Sequence, residues 1–269
     1  MRKIVTLLLA CALLLSCAST LAETEIIVFA AASMTETMTT IADMYQAENP
    51  DVKITCNFDS SGTLKTQIQE GAPCDLFISA AKKQMDQLDI DASPEVNTEG
   101  LDFVDRATRV NLLENKVTLA VPEGNPKGIE SFDQVAALLK DGDILLAIGN
   151  SDVPVGQYTL KIFEFYGIDE AAVARKLTYG SNVKEVTTQV AENSVDCGII
   201  YGTDAFSAKL TVVDEATEAM CGGRVVYPAA VLKTAAEPLA ARDFLNYLQT
   251  DESAGVFASV GFTPIAGAK

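Results

Sequence analysis

Short β-type runs and amphipathic helical segments alternate along almost the whole of this 269-residue chain. Runs rich in β-branched and aromatic residues fall at 25–30, 52–58, 75–80, 116–121, 143–148, 197–201 and 224–232. Apolar residues recur with helical period at 34–48, 63–70, 82–88, 131–139, 157–166, 183–191 and 238–249. A strand, a crossing helix and a second strand form a βαβ unit, so the pattern predicts an α/β fold of mostly parallel sheets flanked by helices. The length suffices for one large or two modest domains. Composition breaks near 106–116 and 221–228 are candidate crossings between two lobes. The first lobe would then be discontinuous, 23–108 plus 225–269, with 109–224 inserted as the second.

The first residues follow a different logic. Met1-Arg2-Lys3 is basic, and an apolar run from Ile4 to Leu15 follows it. This has the form of an export signal and is too short to span a bilayer. "LLSC" (14–17) resembles a bacterial lipobox, which would end the signal at residue 16 and place a lipid on Cys17. Cleavage after "TLA" (20–22) is the alternative, and it would remove Cys17. The formal net charge of −17 argues against nucleic acid as a partner and against anionic membrane surfaces, apart from that lipid anchor. Cys56, Cys74, Cys197 and Cys221 show no CxxC spacing, which disfavours zinc, and they read as buried free thiols.

Four strand-to-helix junctions share one chemistry. "FAAASMTETM" (29–38) empties a strand into three alanines and Ser33, whose bland reading is a helix N-cap. "DSSGTLKTQI" places Ser60 and Ser61 ahead of a helix. "SDVPVGQYTLKIF" opens a helix near Val155 after Pro154, and "YGSNVKEVTTQVAEN" caps one with Ser181-Asn182 so that Val183 is its first residue. The first N–H groups of a helix have no internal partner and stand at the positive end of its dipole, which suits an anion. Small neighbours such as Ala31, Ala32, Gly62 and Gly156 let a ligand approach the backbone. "DCGIIYGTDAF" ends a strand at Tyr201, either a ligand contact or a core-edge ring, while Asp204 reads as an N-cap. Neutral, oriented donors can hold an anion in an acidic protein because repulsion from the surface is screened over roughly 8–10 Å.

"VFAAASMTETM", "FDSSGTLKTQIQEGAPCDLFISA", "DVPVGQYTLK", "GIIYGTDA" and "VGFTPI" occur in this order across nearly all of the chain after the export segment. As a set they resemble the periplasmic molybdate-binding proteins of ABC importers. The resemblance implies a two-lobed, type II periplasmic-binding-protein fold with an oxyanion in the interlobe cleft. It implies contacts from Ser33 and Ser61 through their hydroxyls, from the backbone N–H groups of Val155 and Val183, and from Tyr201. It implies molybdate or tungstate as ligand with no cofactor and no metal ligated by side chains, an ABC permease as partner, and a monomer working outside the cytoplasm. Asp152 is expected outside the first contacts. Gly62 departs from relatives that carry serine there, which leaves the register between Ser60 and Ser61 open.

Other readings are weaker. A serine hydrolase needs a base beside its nucleophile, yet the chain has no histidine. No Ser-x-x-Lys motif stands at either serine loop, since Glu36 follows Ser33 and Leu64 follows Ser61 at that spacing. A binding protein for sulfate or phosphate remains the nearest competitor.

Overall fold

The computed structural model describes residues 24–265. The expected export segment, with Cys17, lies outside them. The chain begins with β1 (Thr24–Ala31), a single 3-10 turn (Ala32–Met34), α1 (Thr35–Glu48), β2 (Val52–Asp59), α2 (Ser61–Gln69), β3 (Leu76–Ile78), α3 (Lys82–Asp86) and β4 (Val110–Asn115). It continues through β5 (Val117–Val121), α4 (Phe132–Asp141), β6 (Leu146–Gly149), α5 (Pro154–Phe165), α6 (Glu170–Val173), β7 (Leu177–Gly180), α7 (Val183–Ala191) and β8 (Cys197–Tyr201). Then come α8 (Gly202–Ser207), β9 (Thr211–Glu215), α9 (Glu218–Cys221), β10 (Val225–Val231), α10 (Pro238–Tyr247), α11 (Asp251–Ser259) and β11 (Thr263–Pro264).

Two sheets result. The first has six strands in the order β11-β4-β10-β3-β1-β2, and the second has five in the order β7-β6-β8-β5-β9. The α/β class is as expected, but each sheet is mixed. β1 pairs in parallel with β2 and β3, and β6 with β7 and β8. The strands next to the passages between sheets, β4, β5 and β10, enter antiparallel. They connect through those passages and not through a crossover helix, so nothing forces them parallel. The chain leaves the first sheet at Asn115 and enters the second at Val117; it returns between Cys221 and Val225.

Central strands read clearly in the sequence because both of their faces are covered: β5 and β8 are buried throughout. Strands β7, β9 and β11 escape that reading. They are edge strands, and polar, partly exposed residues dilute their apolar signal. Strand β4, "VNLLEN", was likewise masked by Asn111, Glu114 and Asn115. Side-chain oxygens cap several helices: Ser60, Ser131, Asn182 and Thr250 each accept from a first-turn N–H. Helix α5 lies so close to β6 that a Cβ on Gly156 would stand 2.3 Å from the Gly149 carbonyl oxygen. Only glycine permits that approach. The four described cysteines are free. Burial raises every one of their thiols, those of Cys56 and Cys221 up to about 11, so none is a reactive thiolate near neutral pH.

Candidate functional site

The carboxyl ends of the parallel strands from both sheets face one another. On the first side β1 ends at Ala31, and Ser33 sits in the 3-10 turn that follows. Ser33 does not cap: no side-chain cap bond is present at the turn or at α1. Its Oγ lies 2.9 Å from the Tyr227 hydroxyl, and this replaces the capping role. At the end of β2 the two serines divide their work. Ser60 is the cap of α2, accepting from Thr63 N–H and sharing a bond with the Thr63 hydroxyl. Ser61 Oγ accepts from the Ala80 N–H at 2.9 Å, which leaves the Ser61 hydrogen uncommitted.

On the second side β6 leads into α5, whose N-cap is Val153 and whose first residue is Pro154. Proline carries no N–H, so Val155 supplies the first free backbone donor of this helix. Strand β7 leads into α7, where Asn182 Oδ1 accepts from Glu185 N–H and Glu185 in turn accepts from Ser181 N–H at 2.7 Å. Val183 is the first residue of α7. Tyr201 ends β8, is 1 % exposed, and its hydroxyl has no hydrogen bond of conventional geometry. Burial raises its pKa well above the ordinary phenol range, so it is a neutral donor.

Ser33, Ser61, Val183 and Tyr201 line one narrow cleft, with a free volume of about 10 Å³. Val155 does not line it, although Val153 and Pro154 of the same turn do. Asp152 is absent from its walls, and so is every lysine and arginine.

Side chains from the two halves also touch across the cleft. Lys184 on α7 donates to both carboxylate oxygens of Glu36 on α1, at 2.8 and 2.9 Å. Lys184 Nζ also lies 3.2 Å from Asp204 Oδ1. Asp204 is not the expected N-cap. The cap position of α8 falls on Tyr201, and Asp204 lies within the first turn, 1 % exposed. Burial pushes its pKa up to about 6 against the opposing pull of Lys184.

Three residues near the site were not legible in the sequence. Asp59 lines the cavity, but its Oδ1 accepts from Ser60 N–H at 2.7 Å and from Asn182 Nδ2 at 3.4 Å. Tyr227 and Asn115 stand behind Ser33 and meet it only through the fold. The nearest signal was an asparagine and a tyrosine at the two passages between sheets.

Comparison with known proteins agrees with this architecture. The family described as bacterial extracellular solute-binding protein matches residues 26–263. The molybdate-binding protein ModA of Escherichia coli is 33% identical over 245 residues, 90% of each chain. That of Haemophilus influenzae is 31% identical, covering 90% of this chain and 91% of its own. The solved periplasmic molybdate-binding protein of Azotobacter vinelandii superposes with a TM-score of 0.73 at 20% identity, over 88% of this chain and 98% of its own. The chain therefore belongs to the bacterial extracellular solute-binding protein family.

Proposed function

We propose that this protein captures molybdate, and tungstate with it, outside the cytoplasm and delivers it to an ABC permease. The observation that carries this is the Tyr201 hydroxyl. It is buried, it makes no hydrogen bond of conventional geometry, and it opens on a cleft that also holds two serines and the start of α7. An unmade bond at a buried hydroxyl is costly, and an oxyanion there restores it. The names of the two ModA relatives supply the ligand class.

In this reading Ser33, Ser61 and Tyr201 donate O–H groups, and Val155 and Val183 donate N–H groups. Donors without charge suit a dianion that accepts on every oxygen. Molybdate and tungstate are nearly isosteric and are held alike, whereas smaller sulfate fits a rigid donor ring less well. No covalent chemistry is involved. Ser33 Oγ meets Tyr227 and Ser61 Oγ meets an N–H, so neither serine faces a general base. The basic start, the apolar run and Cys17 support export with a lipid anchor. Calorimetric titration with molybdate, tungstate, sulfate and phosphate tests the assignment. Tight binding of the first two alone is expected; sulfate or phosphate binding as tightly as molybdate would overturn it.

A further inference from the structure

Ser33 has a buried partner that governs what it can offer a ligand. The Lys116 N–H donates to Asn115 Oδ1 at 2.8 Å. A backbone N–H can only donate, so this bond identifies the other terminal atom of Asn115 as its NH2 group. That group reaches Thr203 Oγ1 at 2.9 Å and the Tyr227 hydroxyl at 3.1 Å. Tyr227 thus accepts from Asn115, and its single hydrogen is left for the other partner, Ser33 Oγ at 2.9 Å. The reverse polarity would leave the hydrogen of a fully buried tyrosine only the Tyr201 hydroxyl, with which it makes no bond of conventional geometry. With its oxygen engaged by Tyr227, Ser33 has its own hydrogen free, and Ser33 lines the cavity.

We infer that Tyr227 is a positioning residue of the anion site: oriented by Asn115, it donates to Ser33 and turns the Ser33 hydroxyl into an outward donor. The inference rests on the oxyanion reading above. The chain of bonds joins β10, the end of β4 and the turn after β1, all of the first sheet, to the first turn of α8, which follows β8 of the second. Its packing does not depend on the hydroxyl. The Tyr227 ring stacks edge-on with Tyr201 and Phe262 at 5.9 and 5.3 Å, and Asn115 keeps Thr203 if the phenol oxygen is removed.

The experiment is a double-mutant cycle read by molybdate titration of the wild type, Tyr227→Phe, Ser33→Ala and the double variant. Tyr227→Phe is expected to weaken binding roughly three- to tenfold with unchanged circular dichroism. In the Ser33→Ala background the same change is expected to cost nothing further, which a merely structural role would not produce. Wild-type affinity in Tyr227→Phe, or losses that add in the double variant, would overturn the inference. If Tyr227→Phe fails to fold, Asn115→Ala carries the test. Tyr227 can then accept from Ser33 and turn its hydrogen away, so affinity must fall, and that fall must vanish without Ser33. A wild type that ignores molybdate overturns the oxyanion reading and this inference with it.

Discussion

Single residues decide how closely the two halves approach. A Cβ on Gly62 would stand 2.2 Å from the Asp152 carbonyl oxygen, across from α2 on the loop before α5. Gly62→Ala is therefore expected to split stability from binding. Alanine is better than glycine in a helix by roughly 0.5–1 kcal/mol, so the ligand-free melting temperature should hold or rise. The approach seen here becomes sterically closed, so molybdate affinity should fall at least tenfold. An alanine variant that binds like the wild type would show that the cleft closes without this contact. The pair Ser60 and Ser61 could be singled out from sequence because strand end, small residues and helix start are contiguous. Tyr227 could not, because its bond to Ser33 spans 194 residues of sequence.

At the scale of elements, the proposed recognition rests on helix starts. Asn182 is extended, with φ −152° and ψ 172°, which is the geometry a following proline favours. Val183→Pro removes one N–H at a position where proline is well tolerated. The variant should fold, with near-normal circular dichroism, and lose much of its molybdate affinity, while Val183→Ala keeps the donor and binds nearly normally. Equal affinity for the two folded variants would remove the Val183 N–H from the site. The contact of α7 with α8 has its own signature. The Asp204 carboxyl, facing Lys184, Glu36 and the Tyr227 phenol, has its pKa raised by burial from 3.8 to about 6. The folded protein then holds this proton more tightly than the unfolded chain. The associated stability is fully present below about pH 4 and is lost as pH rises through 6, on the order of 3 kcal/mol in all. Urea titrations of wild type and Asp204→Asn across pH 4–7 should show that slope in the wild type and a flatter profile in the variant. Parallel profiles would mean that Asp204 does not titrate there.

For the molecule as a whole, a ligand bound only by the folded state stabilises it by mass action, about 2.7 kcal/mol at a hundredfold excess over Kd. Molybdate and tungstate should raise the melting temperature at pH 7.5 by several degrees, and equimolar sulfate or phosphate by far less. Equal shifts for all four anions would defeat selection by size. Alternation of strand and helix, export signal, capped helix starts and the ordered family motifs are all local in the chain. They therefore determined the α/β class, the family resemblance and the choice of Ser33, Ser61, Val155, Val183 and Tyr201 as candidates, because propensity and capping act over a few residues.

What only the tertiary structure decided is everything that depends on distant segments meeting. The antiparallel entry of β4, β5 and β10, the edge strands, the cross-cleft bonds of Lys184, and the commitment of Ser33 to Tyr227 arise when two sheets pack. Hydrophobic burial drives that packing and has no direction. Which hydroxyl then faces which acceptor is set by the final positions of the backbones, and no local pattern of residues records it.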